Sequence, residues 1–177
     1  MLNNNFTLFP TLTTNRLVLR ALEPSDDAPV FAHRNDEVVN TYLNGFRHTS
    51  INESQAFISR VQQEITEGRT ILWVLTQKGS NEFMGTICLW NISVADCSAE
   101  LGYILASPFH RLGFMREAIV AVLDFAFQTM QLQTIDAYTH QHNRPSINLL
   151  RRNGFVQQTA PKKPVTEDRL CFSLSRD

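Results

Sequence analysis

Three features of this 177-residue sequence predict a mixed α/β fold of the α+β type, in which helices cover a mostly antiparallel sheet. Short apolar runs suited to strands recur along the chain. Two longer stretches carry apolar residues at helical spacing. Turn residues separate the runs at intervals too short for parallel crossovers between most of them. The resulting order is β-α-α-β-β-β-α-β-α-β-β, without internal repeat, low-complexity linker or compositional break, so one domain is expected over residues 1–177.

Residues 16–22 (Arg-Leu-Val-Leu-Arg-Ala-Leu) alternate well enough for a first strand. Pro24 and Ser25-Asp26-Asp27 supply a turn and an N-cap for a helix reaching about Asn35. Residues 36–50 read as loop and short helix, with Asn44-Gly45 as the breaker. A second helix runs from an Asn52 cap to Glu67, with Phe57, Ile58, Val61 and Ile65 as its apolar stripe and Gly68 as its stop. Strands follow at about 70–77, 83–91 and 98–105, divided by a turn at Gly79–Asn81 and by Ser93–Cys97. A long helix is expected from Gly113 to about Met130, with Met115, Ala118, Ile119, Val122, Ala126 and Met130 on one face. Then come a strand at 133–139, a short helix from Pro145 to Asn153 closed by Gly154, a strand opening at Phe155-Val156, and a last strand at 168–174.

Composition excludes several classes. With 43% hydrophobic residues and a net charge of −1, the chain fills one core and offers no global attraction to nucleic acid or membrane. No apolar run has membrane-spanning length and the N-terminus lacks a signal-peptide layout, so a cytoplasmic protein is expected. Cys88, Cys97 and Cys171 are an odd, widely spaced set that reads as reduced thiols, not as a disulfide framework or zinc site. His140 and His142 form an H-x-H without a third ligand in a sensible pattern, so no metal is expected. Trp73, Phe125 and Phe127 read as core, and Arg151-Arg152 as a solvated helix end.

The stretch Ala99–Ala118 is the most informative. An apolar strand runs into a basic turn, one glycine and the first turn of the long helix. A helix start offers unpartnered N–H groups and the positive end of the macrodipole. With Arg111 and Arg116 beside Gly113, this arrangement makes a seat for a phosphorylated ligand, or else Gly113 is a plain turn residue. Neither G-x-x-x-x-G-K-[ST] nor G-x-G-x-x-G occurs, so no standard nucleotide fingerprint is involved.

Four segments in order, Thr14-Asn-Arg-Leu-Val-Leu-Arg20, Glu100-Leu-Gly-Tyr103, His110-Arg-Leu-Gly-Phe-Met-Arg-Glu-Ala118 and Asn143-Arg-Pro-Ser146 leading to Gly154-Phe155, span nearly the whole chain. With them the sequence resembles the GCN5-related N-acetyltransferase (GNAT) superfamily, in its RimJ/RimL-like branch of ribosomal-protein N-terminal acetyltransferases. The resemblance implies a sheet splayed between the strands at 98–105 and 133–139, with the pantetheine arm of acetyl-CoA in the opening. Backbone groups of Tyr103, Ile104 and Leu105 would meet pantetheine. Amides of Arg111, Leu112, Gly113, Phe114, Met115 and Arg116 would hold the pyrophosphate, and Asn143 would contact the cofactor arm or an ordered water. His110 stands where the family usually has Gln or Arg, and Met115 where it has Gly or Ala. Leu150 occupies the place of the tyrosine that many members use as acid, which excludes that version here.

The implied reaction is direct attack by an amine on the acetyl thioester, without metal and without an acyl-enzyme. Glu100, on the strand bordering the cleft, is the candidate base, or else a surface or hydrogen-bonding strand residue. Ser146 is the candidate proton donor to the departing sulfur, or else the cap of the helix after it. The preferred acceptor is a protein N-terminal α-amino group. A small amine such as a polyamine, amino acid or antibiotic is the second choice, and a non-catalytic acyl-CoA sensor the third. Lys162-Lys163 would border the acceptor site. Oligomeric state is open, a homodimer included.

Overall fold

The computed structural model describes residues 2–6, 8–43, 47–160 and 166–176; the Asn44-Gly45 breaker and Lys162-Lys163 lie outside them. Among the described residues eight strands form one sheet: β1 (Leu12–Thr13), β2 (Leu17–Ala21), β3 (Ile71–Gln77), β4 (Gly85–Ser93), β5 (Ser98–Leu105), β6 (Thr134–His140), β7 (Val156–Gln157) and β8 (Arg169–Ser175). Their spatial order is β1-β2-β3-β4-β5-β6-β8-β7. Every neighbouring pair is antiparallel except β5 with β6. Five α-helices flank the sheet: α1 (Asp27–Asn35), α2 (Glu37–Asn40), α3 (Ile51–Thr66), α4 (Phe114–Asp124) and α5 (Arg144–Arg152). No helix among the described residues is long and apolar enough to cross a membrane.

The central strand β3 is buried at every position from Ile71 to Thr76, so its continuous apolar run reflects helices on both faces. On one face Leu17, Leu19, Trp73, Leu75, Ile87 and Leu89 pack with the apolar side of α4 and with Ile147 and Leu150 of α5. Trp73 donates its indole N–H to the Pro10 carbonyl at 2.7 Å and meets Phe9 and Phe125 edge-on. On the other face Leu72 and Val74 pack with Val30 of α1 and with Ile58 and Val61 of α3. The bidentate pair of Arg20 with Asp26, both contacts at 2.8 Å, ties β2 to the turn that opens α1.

Some boundaries differ from the expectation. The strand β1, two residues long, carries no periodicity to read. Helix α3 is capped by Ser50 rather than Asn52, because Glu53 reaches back to the backbone and hydroxyl of Thr49 at 2.9 and 2.5 Å. The helix expected to reach Met130 is α-helical only to Asp124, then forms one π turn over Phe125–Thr129. Met130 N–H closes it on the Phe125 carbonyl at 3.0 Å, which lets Ala126 and Met130 stay buried while Phe125 faces Trp73.

The N-terminal end of α4 is braced by the β1–β2 hairpin. Glu117 accepts from the Thr14 hydroxyl at 2.5 Å and from the Arg16 backbone N–H and Nε, both at 2.7 Å. Arg16 also donates to the Leu112 carbonyl at 3.0 Å and lies over the Phe114 ring at 4.4 Å. Burial alone would raise the Glu117 carboxyl, but these donors and the Arg16 charge hold it below its ordinary value of 4.5. Its contribution is therefore full above pH 4.5 and is lost as pH falls through the lower folded value. Glu117→Gln is expected to lower stability at neutral pH by about 1–3 kcal/mol. In denaturation curves recorded across pH, the gap from the unsubstituted protein should close as pH drops below 4.5.

Candidate active site

Strand β5 pairs with β6 over only three positions, Ser98–Glu100 against Thr134–Asp136. Beyond them β5 follows β4 and β6 follows β8, so the sheet opens into a half-enclosed cleft of about 500 Å³. Its walls are Leu101–Leu105 on one side and Ala137–His140 on the other. The N-terminal part of α5 and the segment 38–43 after α1 complete it.

The phase of the β4–β5 ladder decides which peptide groups face this opening. Ala106 N–H donates to the Met84 carbonyl at 2.8 Å, in register with the Leu105–Gly85 pair. Peptide groups alternate along a strand, so those of Ile104 point to Thr86, while those of Tyr103 and Leu105 and the Leu101 carbonyl point into the cleft. Ile104 thus lines the cleft with its peptide groups turned away, unlike the expectation for it. The Leu105 carbonyl is reached by His110 Nε2 at 2.7 Å; because a carbonyl only accepts, Nε2 carries the proton.

The turn after β5 carries the residues expected to form the anion seat. Arg111 and Gly113 adopt left-handed conformations, with φ of 62° and 82°. Only glycine takes this backbone without strain. A side chain at position 113 would also meet the Arg16 guanidinium at 3.4 Å. The amides of Phe114, Met115 and Arg116 open α4 and have no intrahelical acceptor. Arg111 and Met115 line the cleft, whereas Gly113 and Arg116 border a shallower depression of about 560 Å³ against the β1–β2 hairpin. Leu112 is exposed and Phe114 is buried beneath Arg16, so both serve the seat through their backbone alone.

Across the cleft, Asn143 and Ser146 occupy the start of α5. Asn143 is its cap, its side-chain oxygen accepting from the Ser146 N–H at 3.2 Å. Ser146 is therefore not the cap. Its hydroxyl instead meets the Tyr103 hydroxyl at 2.9 Å, a bridge from β5 to α5. Burial pushes the Tyr103 phenol up to about 12, against the opposing effect of Ser146, so it stays protonated. The side chain of Tyr103 went unanticipated. Its signal was present, since strand alternation from buried Leu101 aims it at the α5 face.

Glu100 is buried at 7% exposure, not on the surface. It sits on the last paired rung with Asp136, just below the cleft, and accepts from Asn91 Nδ2 at 3.0 Å. The structure thus gathers Tyr103, Leu105, Arg111, Met115, Asn143 and Ser146 around one opening and leaves Glu100 beneath its floor.

His140 and His142 adjoin each other, and the His142 N–H donates to His140 Nδ1 at 3.1 Å. Among the described residues no group of three or more His, Cys, Asp or Glu side chains is arranged to hold a metal ion. Burial pushes the Cys88 thiol up to about 12 and also raises Cys171. Cys97 lies in the β4–β5 turn, at the paired end of β5 away from the opening. No activated thiolate faces the opening among the described residues.

Comparison with known proteins places this arrangement. The family model described as "Acetyltransferase (GNAT) domain" matches residues 16–156. The uncharacterized N-acetyltransferase YoaA of Bacillus subtilis (strain 168) is 29% identical over 151 residues, covering 85% of each chain. Mycobacterium smegmatis RimJ in complex with CoA-disulfide superposes with a TM-score of 0.77 at 22% identity, over 94% of this chain and 87% of the other. RimL, the ribosomal L7/L12 α-N-protein acetyltransferase in complex with coenzyme A, gives 0.81 at 17% identity, over 94% and 98%. The chain thus belongs to the GNAT acetyltransferase family, as an acetyl-CoA-dependent N-acetyltransferase.

Proposed function

We propose that the acceptor is the α-amino group of a protein or peptide N-terminus. The observation that carries this reading is the cleft itself, which runs from the rung at Glu100 to a mouth bordered by Tyr42, His140 and Arg169 and is half-enclosed, open to the outside. A chain terminus enters such a groove while the rest of the protein stays outside. Chemistry favours the same choice: an α-amine, with a pKa near 8, is partly neutral at pH 7, whereas a lysine amine near 10.4 needs a stronger base than the site offers.

The peptide groups of Tyr103 and the N–H of Leu105 fit the pantetheine arm as a missing strand would. The amides from Arg111 to Arg116 and the dipole of α4 suit the pyrophosphate, with Arg111 adding charge. Acetyl-CoA supplies an activated acyl group and a thiolate leaving group. Glu100, oriented by Asn91, takes a proton from the incoming ammonium through water, and the neutral amine it leaves attacks the thioester carbonyl. Ser146 donates its proton towards the departing sulfur and takes one from Tyr103, and solvent at the open cleft returns that proton to the phenol, which its raised pKa keeps protonated between turnovers. Holding amine and thioester in line supplies most of the remaining acceleration.

Saturating acetyl-CoA, at 100 times its Kd, is expected to add about 2.7 kcal/mol of stability, read as a rise in Tm. No rise would remove the donor assignment. Free-thiol release with N-terminal peptides but not with small amines supports the acceptor assignment, and the reverse pattern overturns it. Glu100→Gln should cut kcat about 10²-fold and reshape the pH–rate profile; an unchanged profile removes Glu100 as base. Tyr103→Phe and Ser146→Ala should each lower kcat about tenfold or more, with the acetyl-CoA-induced Tm rise preserved. The double variant should fall little below Ser146→Ala alone, because the two hydroxyls act in series.

A further inference from the structure

Resting on the N-terminal reading above, we infer that the preferred acceptor is an N-terminus whose first few residues carry a carboxylate, read by Arg169 with His140 at the mouth of the cleft. The placement follows from strand register. Along β6, alternation sets Asp136, Tyr138 and His140 on one face. Their partners on β8 are Ser173, Cys171 and Arg169. Glu100 on β5 is level with Asp136. The bond from the Ser173 hydroxyl to Asp136 Oδ1, at 2.6 Å, confirms the shared side.

This face is electrically polar from floor to mouth. Two carboxylates, Glu100 and Asp136, lie on the last paired rung just beneath the floor, where their charge attracts an incoming ammonium and a water can carry its proton to Glu100. At the mouth Arg169 and His140 line the cleft side by side, with the Tyr42 ring against His140 at 5.4 Å between centroids. Among the described residues the Arg169 side chain makes no hydrogen bond or ion pair, and no Asp or Glu lines the cleft. Asp168, 3.7 Å from His140 Nε2, is two-fifths exposed and does not line the cleft.

Such a surface rejects polycationic amines, which would set a second ammonium against Arg169. It also sets a length. Four residues of β6 separate Asp136 from His140, about 13 Å at the usual strand rise. A free α-amino acid holds its carboxylate beside its amine and cannot span that distance. An extended peptide advances about 3.3–3.6 Å per residue, so an Asp or Glu in the third or fourth position reaches Arg169 while the terminal amine lies above Glu100.

The test uses three octapeptides that differ only at positions three and four, carrying Glu-Glu, Gln-Gln or Lys-Lys, with acetyl-CoA and thiol release as the readout. The expected order of kcat/KM is acidic over neutral over basic, by about tenfold from first to last at low salt. Arg169→Glu should invert the order and Arg169→Gln should flatten it, both with an unchanged acetyl-CoA-induced Tm rise showing an intact fold. Equal rates for all three peptides, or an order untouched by either variant, overturn the inference and leave the N-terminal reading standing. Turnover of no peptide, with turnover of small amines, overturns both.

Discussion

The loss of strand pairing beyond Glu100 and Asp136 is the constraint on which the rest of this molecule depends. Three parallel rungs join the β1–β5 half of the sheet to the β6–β8 half. Beyond them, buried peptide groups of β5 lack a strand partner, which a folded protein does not tolerate unless something else satisfies them. Here one is met internally: His110 donates to the Leu105 carbonyl. The others, the Leu101 carbonyl, both groups of Tyr103 and the Leu105 N–H, face the cleft as an unfinished ladder. A ligand with amides along its length completes that ladder at little conformational cost to the protein, because the strand is already extended.

Two long-range contacts hold the open edge in shape. The Arg16–Glu117 cluster fixes the seat by joining the first hairpin to the first turn of α4, with Arg16 gripping Leu112 and Phe114 on either side of Gly113. Glu117 also puts a carboxylate at the positive end of the helix, so the seat keeps free amides without an uncompensated dipole. On the acceptor side Asp36 caps α2 through Val38 and Val39 and accepts from the Ser107 hydroxyl at 2.7 Å. The wall carrying Val38, Val39 and Tyr42 is thereby coupled to the turn that leads into the seat. Donor and acceptor walls are set by one connected frame, as in-line transfer requires.

Much of this was legible in the sequence because it rests on local pattern. The strands at 98–105 and 133–139 and the helix start at Gly113 follow from alternation, period and glycine placement, and the left-handed φ at Gly113 is what that glycine is for. The same logic found Gly68 and Gly154 as helix stops. What was not legible depends on register or on contacts distant in sequence. No local pattern says that Ile104 turns its peptide groups to Thr86 while Tyr103 and Leu105 keep theirs for the cleft; one residue of register would exchange them. Arg16 and Glu117 lie a hundred residues apart, so the opening Thr-Asn-Arg segment reads as a strand start until the fold brings it to the seat. Tyr103 was weighed for its backbone alone, and its meeting with Ser146 joins residues 43 apart. The π turn is a tertiary outcome too, since it settles a competition between Phe125 against Trp73 and Met130 in the core.

The site's electrostatics favour the direct transfer proposed above over a covalent intermediate. An acyl-enzyme would need a thiolate beside the thioester, and burial holds Cys88 and Cys171 protonated. A thioester does not need that help, because its leaving group is far better than an amide's and the attacking amine is a strong nucleophile once neutral. The demands on the protein reduce to three: neutralise the amine, align it and supply a proton to sulfur. In the mechanism proposed above, Glu100, the walls of the cleft and the Tyr103–Ser146 pair answer those demands one for one. The carboxylate lies at the buried rung beneath the opening and the hydroxyl pair bridges β5 to α5, so the proposed base and acid approach the cleft from opposite faces of the sheet. That separation lets a proton leave the nucleophile without crossing the path of the one that reaches the leaving group.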